Sequence, residues 1–315
     1  MSVPLVYHPG YFCDIGPHVF PMDKYRLVCE GLTLQFPHLA EWVHRPVAAS
    51  REQLQRVHTA EYLDDLDSHQ HTMRTLPSEL PISEEIVEAF YLMAGGSLLA
   101  AELALEYGAA LNAGGGFHHA FADHAEGFCY VNDVALAVRH ALSAAAGPNP
   151  PQRAAVVDCD LHQGNGTARI FQRDPAVFTF SIHQENNYPI KEKGSLDIGL
   201  GDLAGDDQYL EQLKVGLDAV FGGFGPGFVV YVAGVDPYED DQLGGLHLTR
   251  RGMRQRDDLV LEYCWRHGAP VAAVLAGGYA FSLAHTVEMH MNTYLAMYDR
   301  YRQTLAAPGP SAAEG

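Results

Sequence analysis

A single α/β domain, built on an open parallel sheet with helices against its faces, is the fold class this sequence predicts. Three observations predict it. From about residue 109 onward, apolar runs of four to six residues alternate with helical patterns of a dozen or more. The runs are rich in Val, Phe and Ile and show little polar alternation, as strands buried on both faces do. Glycine-rich polar clusters follow four of them, and an open parallel sheet binds its ligands outside the carboxyl ends of its strands.

The elements follow in order. Residues 1–108 read as mostly helical, with the clearest helix over 83–105: Ser83 is placed to cap it, and Glu85 and Glu88 suit the positive end of its dipole. Strands are expected at 109–113, 154–157, 177–182, 228–233 and 271–276, with helices at 131–145, 207–221 and 249–267 between them. The turn-rich stretches 147–151 and 222–227 read as connections before strands. No internal repeat is visible. Residues 1–305 are expected to form one domain, and 306–315, which offer no core-forming side chains, a disordered tail.

Composition excludes several classes. A chain of 315 residues that is 47% hydrophobic and 19% charged has enough apolar surface to offset its chain entropy, so it is not a disordered protein. No uninterrupted apolar run approaches the roughly 20 residues of a membrane span, and the first residues lack a signal-peptide pattern, so a cytoplasmic protein with no membrane partner is expected. The formal charge of −19 argues against a nucleic-acid backbone as partner. It suits a cationic substrate such as a Lys-rich tail, although acidity more often serves solubility. The five cysteines are odd in number and never spaced C-x-x-C, which fits neither a disulfide framework nor a thiolate zinc site. The histidines, 17 in number, are the unusual count.

Several of them sit at strand ends. Gly114-Gly115-Gly116-Phe117-His118-His119 follows the first expected strand, and Asp158-Cys159-Asp160-Leu161-His162-Gln163-Gly164-Asn165-Gly166 the second. Gly234-Val235-Asp236 and Gly277-Gly278-Tyr279 follow two others. In extended backbone, residues i and i+2 point the same way, so Asp160 and His162 can grip one ion, with Asp236 as a third ligand from another strand. Three protein ligands and an open position describe a catalytic zinc, and Fe(II) suits the same donors. Taken alone, a D-x-H, a His pair or a Gly-Gly-Tyr is more often structural. Four such motifs converging on one sheet edge reverse that balance. His285, Glu288 and His290 resemble a metal motif superficially, but positions i and i+5 lie on different helix faces.

These motifs, with Tyr7-His8-Pro9, Glu126-Gly127-Phe128-Cys129 and Leu243-Gly244-Gly245-Leu246, resemble the zinc-dependent histone deacetylase family, of arginase/deacetylase-like fold. The likeness runs to about residue 300. Phe20-Pro21-Met22-Asp23-Lys24-Tyr25-Arg26 and Gln163-Gly164-Asn165 lean toward its class IV and bacterial members. The resemblance implies that Asp160, His162 and Asp236 bind zinc. It makes His119 the general base, and His118 an electrostatic assistant held by Asp158. Tyr279 becomes an oxyanion donor. Phe128 would line an acyl-lysine tunnel, the Gly127 carbonyl would accept the substrate N–H, and Tyr188 would form the opposite wall. It further implies a structural potassium at Asp158, Asp160, His162, Ser181 and Ile182, and a second one near Phe171 and Val177.

Two departures stand out. Asn165 replaces the Asp of a second His–Asp pair, so it can fix the His119 tautomer but lends the imidazolium no full charge. Residues 76–81 offer no clear equivalent of a rim Asp that clamps the substrate backbone. The expected activity is hydrolysis of acyl groups, acetyl or longer, from lysine side chains of proteins or peptides. Deacetylation of small amines such as acetylated polyamines, or a non-catalytic acyl-lysine reader, are the alternatives. A two-manganese ureohydrolase would need a bridging carboxylate two residues after His162, where Gly164 stands. Acyl length and oligomeric state are not legible.

Overall fold

The computed structural model describes residues 2–306, side chains being described to residue 302. Eight strands form one sheet: β1 Leu5–Val6, β2 Val43–His44, β3 Ala109–Asn112, β4 Ala154–Asp158, β5 Val177–Gln184, β6 Leu196–Leu200, β7 Phe228–Val232 and β8 Val271–Val274. Their order is β2-β1-β3-β8-β7-β4-β5-β6, and every neighbouring pair is parallel. The expected α/β class with an open parallel sheet is therefore observed. All five expected strands are present within two residues of their predicted bounds. Three others were not foreseen. β1 and β2 have two residues each, too few for any periodicity, and β6 is an edge strand whose burial alternates.

The helices are α1 Asp23–Gln35, α2 Arg51–Leu54, α3 Ala60–Asp67, α4 Glu84–Tyr107, α5 Asp133–Ala141, α6 Asn165–Phe171, α7 Asp206–Asp218, α8 Arg250–Arg266 and α9 Leu283–Ala306. Local caps set where several begin. The hydroxyls of Ser83 and Thr249 accept from the amides of Ile86 and Gly252, and the Asn132 side chain accepts from Ala135, satisfying one free donor of α4, α8 and α5 each. The helix expected at 131–145 stops earlier, with a 3₁₀ turn at Ala144–Ala146 beyond it, and α7 runs on into a π-helical turn at Ala219–Phe224. By length and composition α4 is apolar enough to cross a membrane; most of its apolar stretch is buried inside the fold. α9 extends to Ala306, so the disordered tail expected at 306–315 begins inside a helix at its first residue, and 307–315 lie outside the described residues.

One apolar cluster gathers the inward residues of α1, α4, α7, α8 and α9, among them Tyr25, Phe90, Leu217, Leu261 and Tyr294, against Leu111, Val157, Phe180 and Tyr231 of the sheet. A second joins α4 and α5 to the alternate strand positions Ala110, Val156, Val230 and Ala272. Covering both faces leaves the carboxyl edge of the sheet as the place where polar loops can gather. All five cysteines are free and buried.

Candidate active site

At that edge the ends of β3, β4, β7 and β8 bring the four polar clusters together. β4 ends at Asp158, so Asp160 and His162 lie just beyond it in bends and not in extended strand. Strand alternation therefore does not align them. Two side chain-to-backbone turns do: the Asp160 amide donates to Asp158 Oδ1 at 3.1 Å and the His162 amide to Asp160 Oδ1 at 2.9 Å. Asp236 enters from the loop after β7, where its Oδ1 accepts the Leu161 amide at 2.9 Å. Beneath both loops the fully buried Arg256 of α8 donates to the carbonyls of Cys159 and Gly234.

One ligand atom each from Asp160, His162 and Asp236 lies within 4.8 Å of the others, and all three residues are buried. His162 Nδ1 stands 3.1 Å from Asp236 Oδ2 and 3.3 Å from Asp160 Oδ1. Burial alone would lower the basicity of His162, but the two carboxylates outweigh it and push it up to about 10. Burial, and then the charge of Asp160, raise Asp236 to about 6. Two carboxylates this close inside protein attract a cation strongly. Two hard oxygens and one imidazole nitrogen, with His162 also facing a cavity, fit a dication with an open coordination position. Approach from the β8 side requires glycine: a Cβ on Gly277 would fall 2.2 Å from Asp236 Oδ2 and 2.6 Å from Asp160 Oδ2, while its amide donates to Asp160 Oδ2 at 2.8 Å.

The His pair follows a loop tied down by Asp133 at the start of α5. This buried carboxylate accepts the amides of Gly116 and Phe117 at 3.0 and 2.7 Å and the Ser97 hydroxyl. His118 Nδ1 meets Asp158 Oδ2 at 2.7 Å, and His119 Nδ1 meets Asn165 Oδ1 at 2.8 Å, as expected of both. The two Nε2 atoms are 3.1 Å apart. Burial disfavours charge on His118, yet Asp158 and Asp160 leave it raised to about 9; burial and then the neighbouring His118 charge hold His119 far below its ordinary value. Asp158 thus favours charge on His118, while His119 is neutral and presents Nδ1 to Asn165.

Asn165 has a second partner that the sequence did not point to. Its Nδ2 donates to Glu126 Oε1 at 2.7 Å, and the Tyr188 hydroxyl donates to the same oxygen at 3.2 Å. Glu126 opens a tight turn in which the Glu126 and Cys129 backbones bond reciprocally and the central residues Gly127 and Phe128 have φ of 49° and 62°. Positive φ at both positions is the pattern of a type I′ turn. Phe128 tolerates it at a cost of about 1–3 kcal/mol. At Gly127 a Cβ would come within 2.8 Å of the His119 ring. Its carbonyl accepts the Cys129 thiol at 3.2 Å.

A cavity of about 200 Å³ opens over these groups, lined by Gly127, Phe128, Tyr188, Leu243 and Tyr279, with His119 and His162 at its inner end and Glu79 and Asn187 completing the wall. Tyr279, anchored by its amide to Asp241 at 2.7 Å, is buried. Burial and then Asp236 and Asp160 raise its phenol well above the usual value, so it stays a neutral donor. Behind it lies Lys24, a cation the sequence reading left without a role. Fully buried among the rings of Phe20, Tyr25 and Tyr279, Lys24 donates to the Ala276 carbonyl at 2.5 Å. Burial lowers it to about 8 against the pull of Asp236, Asp160 and Asp241. Its charged neighbours Asp23 and Arg26 give no local sign that Lys24 turns inward.

The other expected residues lie nearby. Ser181 stands opposite Asp158 across the β4–β5 ladder with its hydroxyl on His183 Nδ1 at 2.9 Å, and Ile182 is buried beside it. Phe171 and Val177 are both buried, at the end of α6 and the start of β5. His285 faces Tyr238 while His290 is buried, so they share no ion. Glu79, held at φ 62° on the cavity rim, occupies the stretch in which no rim carboxylate was recognised.

Comparison with known proteins adds the following. The family model described as histone deacetylase domain matches residues 18–294. An uncharacterized protein of Picosynechococcus sp. is 41% identical over 96% of this chain and 100% of its own length. Histone deacetylase 2 of Arabidopsis thaliana is 29% identical over 91% of this chain and 77% of its own, and acetoin utilization protein AcuC of Bacillus subtilis 31% over 74% and 66%. Among solved structures, the HDA15 HD domain superposes with a TM-score of 0.76 at 22% identity, covering 96% of each chain, a likeness of fold.

Proposed function

The chain belongs to the histone deacetylase family, and from that premise we propose that it is a zinc-dependent amidohydrolase that removes acyl groups from lysine side chains of proteins or peptides. The observation that carries the reading is the meeting of an Asp–His–Asp cation site and a neutral, oriented imidazole at the inner end of a narrow cavity. At about 200 Å³ the cavity is smaller than sites for compact drug-sized ligands and suits a slender aliphatic stem.

Asp160, His162 and Asp236 would hold zinc, and Fe(II) is the competing occupant. When bound, the ion supplies Lewis-acid polarisation of the substrate carbonyl and of the attacking water. His119 takes the proton of that water at Nε2, the ring nitrogen that does not face Asn165, and returns it to the departing amine. His118, kept cationic by Asp158, stabilises negative charge as the carbonyl is attacked. The Tyr279 phenol donates to the developing oxyanion. Phe128 and Tyr188 flank the stem, and the Gly127 carbonyl accepts the substrate N–H. The same proposal includes a structural potassium at Asp158, Asp160, His162, Ser181 and Ile182.

A fluorogenic panel of acyl-lysine peptides, run with metal analysis, tests the reading. Turnover that follows metal content supports it. Binding of acyl-lysine without turnover by the metal-loaded protein would replace it with a reader. A small acetylated amine is favoured as a second substrate class by one feature: Glu79 stands at the mouth, and no Lys or Arg lines the cavity among the described residues. Faster hydrolysis of acetylated polyamines than of any peptide would move the assignment there.

Asn165→Asp gives a pH prediction. The new carboxylate faces His119 and favours its charged form, which cannot act as base, so the acid limb of kcat/KM is expected to move to higher pH. The limb belongs to the coupled site, so its direction is the readout. Because Glu126 lies on the other side, the two carboxylates repel, and melting temperature should fall. An unmoved limb with metal content unchanged would show that residue 165 does not tune the base.

A further inference from the structure

We propose that Glu126 is a positioning residue that locks the amide of Asn165, and through it the tautomer of His119, so that Nε2 and not Nδ1 carries the lone pair of the base. This rests on the deacylase reading of the same site. The reason is the asymmetry of the three groups. A primary amide has one donor end and one acceptor end, and nothing intrinsic decides which end faces the imidazole. An ionised carboxylate only accepts. Glu126 Oε1, 2.7 Å from Asn165 Nδ2, therefore fixes the donor end toward itself and leaves Oδ1 for His119 Nδ1 at 2.8 Å. His119 must then carry its proton on Nδ1. With the amide reversed, the proton would move to Nε2 and the ring could not accept one from water.

The carboxylate is built for this. Glu126 is half-buried; burial raises its pKa, but hydrogen bonds from His124, Asn165 and Tyr188 outweigh that and hold it below its ordinary value. The groups facing it are Asn165 Nδ2, the Tyr188 hydroxyl and, at 3.8 Å, His124 Nε2, whose other nitrogen pairs with Asp123. Its backbone is pinned by the reciprocal bonds to Cys129. The neutral Asn that replaces a carboxylate beside the base thus has a carboxylate one step further out.

Glu126→Gln keeps the shape but offers both a donor and an acceptor, so the amide of Asn165 is no longer constrained. A ten- to hundred-fold fall in kcat with KM within about twofold is expected, by analogy with the outer partners that orient metal-ligating imidazoles. In an Asn165→Ala background the same change should cost nothing further, because the two act through one path. Long-range nitrogen NMR of histidine-labelled full-length protein reads the tautomer without any turnover: His119 should be Nδ1-protonated in the parent and a mixture in Glu126→Gln. A single Nδ1–H tautomer in both proteins, or a loss that is fully additive with Asn165→Ala, would overturn the inference. Failure of the parent to hydrolyse any acyl-amine would instead overturn the deacylase reading, and the tautomer measurement would still decide the role of Glu126.

Discussion

Replacing Asp160, His162 or Asp236 by Ala should remove most bound metal and lower turnover by more than about 100-fold, since even outer partners of metal ligands are worth 10–100-fold. The three side chains supply the whole grouping, with one atom from each within 4.8 Å of the others. Losing one leaves two donors, too few to hold a dication against water. Folding needs a separate control, because Asp160 also accepts the amides of His162 and Gly277. Its truncation orphans both buried donors at about 1–3 kcal/mol each. Asp160→Asn keeps an acceptor for one of them and weakens the charge, so it should bind metal poorly while melting near the parent. Elemental analysis beside circular dichroism reads both quantities. A triple Ala variant that still purified with one zinc per chain would sink the assignment.

The Tyr279→Phe variant should keep its fold and metal while kcat drops by about 10²–10³, the range for removing one donor to an oxyanion. The ring carries the structural duties: its centroid lies 6.0 Å from Phe128 and 6.2 Å from Phe20, with Lys24 Nζ 5.7 Å away. The backbone amide holds Asp241, and the carbonyl accepts from Gln242. Phe preserves every one of these contacts and deletes only the hydroxyl that faces the cavity. KM should change little, because the lost bond strengthens as charge develops on the substrate oxygen. An unchanged kcat would return the phenol to the role of cavity wall.

Most of the site was legible because its residues sit in short, dense motifs at strand ends. Asp158, Asp160, His162 and Asn165 span eight positions, and the sheet needs only to bring that run to the ends of β3, β7 and β8. The reason given for the D-x-H pair was nevertheless wrong in detail. Its alignment comes from backbone amides folding onto carboxylates after the strand has ended, not from the two-residue period of the strand. Lys24 and Asp133 were not assigned. Each acts over more than a dozen residues of separation, on Ala276 and on Gly116, and one buried Lys or Asp carries no local pattern.

By itself the sequence determined the parallel α/β class, the strands that carry ligands, and the chemical types gathered at their ends. Those properties follow from local composition: apolar runs of strand length, glycines where backbone must turn, and donors spaced two or three residues apart. Tertiary structure alone decided what stands behind the amide that faces His119. Asn165 and Glu126 are 39 residues apart, and their 2.7 Å contact exists only because the turn at Gly127 and Phe128 lays one loop against the start of α6. A hydrogen bond depends on tenths of an ångström and on which end of an amide faces which atom. Those quantities are set by packing between loops, and no pattern along the chain encodes them.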